Sequence, residues 1–263
     1  FARPYVGRVM MLFFGIPVDR MEALFEIADR LPLGIEGERL ETDHEDIIAA
    51  MFADYNRVLD DVYSQPAPTG TLISTLQAAM REGKIGFDPT RHTINSALDG
   101  SLGTTLSFIR GMLHFFACHP DHWKSLIEEP DDIPNAVEEM LRYLSPASNF
   151  LWGRTTNDVV VNGCPMKRDD RVEFDFHAAN RDPEIFQQAD AFVIGREERQ
   201  HLALGHGPHF CLGAALARMT GHVAIELLTK GLGELGLAKA IHPPERETQW
   251  GQIPELIIRN EKH

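Results

Sequence analysis

The residues best equipped for chemistry lie in one stretch, His201-Leu202-Ala203-Leu204-Gly205-His206-Gly207-Pro208-His209-Phe210-Cys211-Leu212-Gly213. Gly205 and Gly207 permit tight bends and the close approach of a large planar group, which a Cβ would obstruct. Cys211 ends that loop, and the Leu212-to-Arg218 run after it is rich in helix formers. A thiol at a helix start faces unpaired amides and the positive end of the helix dipole, and both stabilise its thiolate.

Three readings follow. Cys211 can be a buried thiol in a helix-start turn, a zinc ligand together with His201, His206 and His209, or the axial ligand of a haem iron, where a thiolate donates electron density that favours O–O cleavage. The H-x4-H-x2-H-x-C spacing matches no common structural zinc pattern and crowds its ligands into one short loop. The run HLALGHGPHFCLG resembles the haem-binding signature of cytochromes P450. That resemblance implies haem b (iron protoporphyrin IX) with Cys211 as the proximal ligand and His209 as a propionate partner. It also implies Leu204, Gly205 and Gly213 as haem-facing residues. Leu204 stands where the family usually has Phe, so the apolar cover over the sulfur is kept without the ring.

Positioning such a loop needs a scaffold, and the sequence ahead of it reads as helical. Asp88-Pro89 signals a helix start, with Asp88 as cap and Pro89 at the first helical position. The pattern runs to Phe116, a rod of roughly 43 Å at 1.5 Å per residue. Gly100-Ser101-Leu102-Gly103-Thr104-Thr105 interrupts it, and interior glycines at about 1 kcal/mol each suggest close approach or a local opening. The rod resembles the central P450 helix that crosses the distal haem face, which implies Thr104 as the catalytic hydroxyl. The family's usual acid just before that Thr is here Gly103. Asp99, four residues upstream on the same face, can replace it, touch substrate or simply be solvated; the solvated reading is preferred.

Another helix is expected from Pro134 to Tyr143. Its Glu139 and Arg142, three apart, share a face and can form a charge-assisted contact. They match the family's Glu-x-x-Arg motif, which implies a buried structural pair behind the haem loop.

The remaining chain supplies smaller elements. Two helices are expected between Phe1 and Leu31, broken at Gly15-Ile16-Pro17 with Asp19 capping the second, and others over 43–63 and 72–81. Residues 151–156, 159–161 and 172–176 read as short strands, with Asn162-Gly163 as a hairpin turn. These resemble the small P450 sheet, where an Arg at the place of Arg154 holds a propionate; a solvent-facing Arg is the other reading. Residues 178–192 resemble the loop leading to the haem. A helix to about Leu235, a turn at Gln249–Pro254 and a strand at Leu256-Ile257-Ile258 complete the pattern.

With 39 acidic against 25 basic residues the formal charge is -14, which disfavours nucleic acid and anionic lipid as partners. Cys118, Cys164 and Cys211 are odd in number and far apart, so no disulfide framework is expected. No apolar run reaches the roughly 20 residues that span a bilayer, and a cytoplasmic, non-membrane protein is expected. The first residue is Phe, and the resemblance covers only the later part of a P450. A fragment or a natural short form is therefore expected, one that is not a self-sufficient haem domain.

These observations lead to a mainly α fold with a small β region, P450-like, lacking its N-terminal portion and forming a single domain over 1–263. The implied function is haem-thiolate monooxygenation of a small apolar molecule with O2 and electrons from a ferredoxin or flavoprotein reductase. The alternatives are a peroxide-dependent haem enzyme and a haem-free P450-like partner protein.

Overall fold

Turns rather than long loops divide the first part of the chain. The computed structural model describes residues 1–30, 40–147, 152–198, 200–233, 235–237 and 258–260, in two compact units, Phe1–Ile109 and Arg110–His263.

In the first unit α1 (Ala2–Phe14) ends at Gly15, whose φ of 82° needs glycine and whose added Cβ would meet Thr71 Oγ1 at 2.5 Å. A 3-10 turn over Val18–Arg20 leads into α2 (Met21–Ala28). Asp19 lies inside that turn and does not cap α2, because the extra turn moves the cap position to Arg20. Next come α3 (Leu40–Ser64) and α4 (Leu72–Arg81). Thr71 and Ser74 close a capping box on α4, with hydrogen bonds of 3.3 and 3.1 Å. Met10, Phe14, Leu24, Phe25, Tyr55, Leu59 and Leu98 form the core.

Helix α5 (Phe87–Cys118) begins in the first unit and ends in the second. It starts one residue before the expected cap, since the Thr90 amide already bonds the Gly86 carbonyl at 3.2 Å. Asp88 therefore sits in the first turn, where its charge meets the helix dipole. The helix runs unbroken through Gly100–Thr105. No local opening interrupts it, and nothing lies within 4 Å of a Cβ built on Gly100.

The second unit contains α6 (Pro120–Glu128), α7 (Ile133–Leu144), α8 (Phe176–Ala179) and α9 (Ala214–Gly231). Its strands form antiparallel pairs: β1 (Trp152–Arg154) with β4 (Arg171–Glu173), β2 (Val159–Val161) with β3 (Cys164–Met166), and β5 (Leu235–Leu237) with β6 (Ile258–Asn260). Asn162 and Gly163, at φ 48° and 80°, make the two-residue turn joining β2 to β3. The expected strand over 172–176 is shorter and pairs with β1. Phe115, Phe116, Trp123, Tyr143 and Phe192 gather in one aromatic cluster, and the Trp123 indole donates to the Gly233 carbonyl at 2.6 Å. The expected turn at Gln249–Pro254, with Leu256 and Ile257, lies outside the described residues, as do Leu31 and Leu151.

Candidate functional site

The loop before α9 is held mainly by its own backbone. Gly205 N–H donates to the Leu202 carbonyl at 2.9 Å, Phe210 N–H to Gly207 at 3.0 Å and Cys211 N–H to Leu204 at 2.8 Å. Gly205 takes φ 72°, and a Cβ there would press on the His209 carbonyl at 3.3 Å. The helix begins two residues later than its composition suggests, with Gly213 as its N-cap. Leu204 is buried behind the loop, Cys211 is half-buried, and His209 and Gly213 are exposed. Phe210 is 51% and Leu212 93% exposed. The thiol therefore sits between two bare apolar side chains on a glycine-bent surface. Among the described residues no three side chains of His, Cys, Asp or Glu are grouped so that they could hold a metal ion.

Behind the loop lies a buried network centred on Glu139 and Arg142. Arg142 donates to Glu139 through Nε and Nη2, both at 2.8 Å. Its Nη1 donates to the Asn180 and Ala189 carbonyls, and its Nη2 to that of Ala191. Arg196 adds a second guanidinium against Glu139 at 3.1 Å, and the Val193 amide a further donor at 2.9 Å. A buried carboxylate pair survives only when its lone pairs and protons are satisfied this fully. Asn180 then carries the network forward: its side chain donates to Ser145 Oγ at 2.8 Å and accepts from the Leu202 amide at 2.6 Å, at the entrance of the loop. Sequence reading found Glu139 and Arg142 by their spacing but missed Arg196 and Asn180. Neither carries a local signal, because each reaches the network from an irregular segment far along the chain.

A second network brackets the loop. Glu138 Oε2 accepts from Arg218 Nη2 at 3.1 Å and pairs with His201 Nε2 at 3.2 Å, while its Oε1 accepts from Arg218 Nε. Burial alone would raise the Glu138 carboxyl; the bonds from His201 and Arg218 outweigh it and bring the pKa to about 2. Arg218 is held charged by Glu138 and also by the field of the Cys211 sulfur.

Arg154 lies exposed on β1, its Nη1 donating to the Asp169 carbonyl at 2.9 Å. Thr104 and Asp99 belong to the first unit, on α5. The Thr104 hydroxyl donates to the Gly100 carbonyl at 2.6 Å, which keeps it inside the helix ladder. Asp99, expected to be solvated, is half-buried, and burial pushes its carboxyl up to about 6. The hydroxyl of the fully buried Tyr55 has no hydrogen-bond partner among the described residues and is pushed up first by burial and then by the Asp99 charge.

Comparison with known proteins gives the family of the chain. The family model described as cytochrome P450 matches residues 21–230. The chain is 31% identical over 246 residues to a steroid C26-monooxygenase of Mycolicibacterium smegmatis, covering 92% of this chain and 60% of that one. It is 32% identical over 240 residues to the biotin biosynthesis cytochrome P450 of Bacillus subtilis, covering 90% and 60%. Among solved structures, P450BioI in complex with an acyl carrier protein ligated to hexadec-9Z-enoic acid superposes with a TM-score of 0.79 at 29% identity, covering 94% of this chain and 64% of that one. The chain thus spans 60% of the length of the two curated relatives.

Proposed function

Because the chain belongs to the cytochrome P450 family, we propose that it carries the proximal loop and the central helix of a haem-thiolate monooxygenase acting as one P450-like domain. The family implies a haem cofactor, and the loop fits one. Gly205 bends where a Cβ would be crowded, and Phe210 and Leu212 are bare beside a half-buried thiol. A flat apolar ring carrying a thiophilic metal would cover those side chains and use the sulfur.

In this reading the group is haem b. Cys211 Sγ holds the iron, His209 and Arg154 neutralise the propionates, and Leu204, Gly205 and Gly213 shape the surface beneath the ring. Bound haem supplies the oxygen activation that inserts one atom of O2 into the substrate. Glu139 and Arg142, with Arg196 and Asn180, would hold the entrance of the loop in place through the Leu202 amide. Thr104 Oγ1 would hold a proton and exchange its Gly100 partner for an incoming acceptor. The substrate is a small, largely apolar molecule, the electron source a ferredoxin or flavoprotein, and the compartment cytoplasmic.

The observation that carries this reading is the Cys211 loop, with its amide tied to Leu204 and its sulfur left accessible. Ferrous protein with carbon monoxide should show the red-shifted Soret band of thiolate ligation, and Cys211→Ser should lose it. Zinc without iron in the purified protein, and no Soret band after haem addition, would overturn the reading.

A second reading has one observation in its favour. Gly103 places no acid beside Thr104, and the Thr104 hydroxyl is engaged by its own helix. Hydrogen peroxide would then serve as the oxidant and bring its own protons. Full turnover with peroxide alone, unaffected by the reductase, selects it.

A further inference from the structure

Among the described residues, hydrogen bonds tie the loop around Cys211 to the rest of its unit at its two ends. Leu202 is bonded to Asn180 at the entrance. Beyond it, the Gly205, Phe210, Cys211 and Ala214 amides all bond within the loop itself. Among the described residues, Glu138 is the side chain that bonds both flanks: His201 ahead of the loop and Arg218 on α9 after it. Glu138 reaches them from α7, the same helix that carries Glu139 and Arg142.

The chemistry of the three partners suits a fixed clamp. The Ala203 amide donates to His201 Nδ1 at 3.3 Å, so the ring's other nitrogen carries the proton and donates to Glu138. The His201 side chain is only 4% exposed, so this bond is shielded from water. Arg218 presents Nε and Nη2 to the two carboxylate oxygens, the paired geometry that fixes orientation as well as distance. Both oxygens of Glu138 therefore face donors. A Gln there would set its amide protons against a guanidinium or an imidazole N–H.

We propose that Glu138 is a positioning residue that clamps the entrance and exit of the thiolate loop through His201 and Arg218 and so fixes the height of Cys211 beneath the cofactor. The proposal rests on the haem-thiolate reading for the second half of that statement alone; the clamp itself concerns only this chain.

Amide hydrogen exchange and the ferrous–carbon monoxide spectrum test it on the haem-loaded protein. The variants are Glu138→Gln and Arg218→Gln, with Lys230→Gln on the exposed far end of α9 as control. The Cys211 and Gly205 amides should exchange about tenfold faster or more in both variants, as expected when a charge-assisted tie is lost. Part of the carbon monoxide band should move away from the thiolate position. The Val193 amide, which reports on Glu139, should keep its wild-type rate. A role in bulk stability alone would raise Val193 and Cys211 exchange together, and that result overturns the proposal, as does unchanged Cys211 exchange. If Glu138→Gln does not fold, Arg218→Lys takes its place; it keeps the charge and loses the fork, at a side chain 38% exposed. An intermediate rise in Cys211 exchange in that variant supports the clamp, and none overturns it. A wild-type protein lacking the thiolate band would sink the haem reading and leave the exchange comparison standing on its own.

Discussion

Cys211 and Asp99 are the two residues whose surroundings give them unusual character. The Cys211 backbone is fixed while its sulfur remains accessible, so Cys211→Ser should remove the thiolate-type Soret band with little change in fold, measured by carbon monoxide spectroscopy alongside circular dichroism. Asp99 is the opposite case, a carboxyl whose charged form is disfavoured by burial. Its folded pKa, about 6, lies above its ordinary value. The stability it permits is therefore complete below about pH 4 and is lost as pH rises through 6. Asp99→Asn should raise stability by about 1–3 kcal/mol at pH 7.5, because a tenfold change in proton affinity between folded and unfolded chains is worth about 1.4 kcal/mol, and should change little at pH 4. Urea unfolding at the two pH values checks it; an equal gain at both would mean that charge is not the cause.

At the scale of elements, α5 and α7 carry the expectations. Helix α5 presents Thr104 with no acid before it, and a positioned general acid contributes about 100- to 10,000-fold in rate. Gly103→Asp should improve the coupling of reductant consumption to product, whereas Thr104→Ala should worsen it, read as peroxide released per electron pair. Unchanged coupling in Gly103→Asp with collapse in Asp99→Asn would transfer the relay to Asp99. In α7, Glu139 is 4% and Arg142 1% exposed. Removing the carboxylate strands two guanidiniums, so Glu139→Ala should cost about 3–5 kcal/mol, the range for breaking a buried pair. Thermal unfolding in the haem-loaded and haem-free states would show whether the loss is structural, as it should be equal in both.

At the scale of the whole molecule, histidines and carboxylates both shape the acid side of the stability profile. Burial holds His114, His122 and His177 below their ordinary pKa, so each binds its proton less tightly in the folded than in the unfolded chain. Stability from them is lost as pH falls through about 6.5. Glu138, held near 2, adds a second loss between about pH 4.5 and 2. In an Asp99→Asn background, where the opposing gain from that carboxyl is absent, denaturant midpoints should decline in two stages on acidification, and adding Glu138→Gln should flatten only the lower one. Among the described residues no helix is long and apolar enough to cross a membrane.

What the sequence determined by itself was local. The bends at Gly205 and Gly207, the Asn162-Gly163 turn and the pairing of Glu139 with Arg142 three residues away all rest on interactions within a few positions, which residue types alone specify. Helix starts were less legible: Asp19 and Asp88 have the right side chains for caps, but neighbouring backbone bonds began each helical segment elsewhere. Tertiary structure alone decided that β1 pairs with β4, that Asp99 is half-buried, and that Asn180 and Arg196 join the network behind the loop. It likewise decided that Glu138 serves both flanks of Cys211. The physical reason is common to these cases. A hydrogen bond between groups distant along the chain leaves no periodicity in it, since each partner needs only the right polar atom, and the fold supplies the distance.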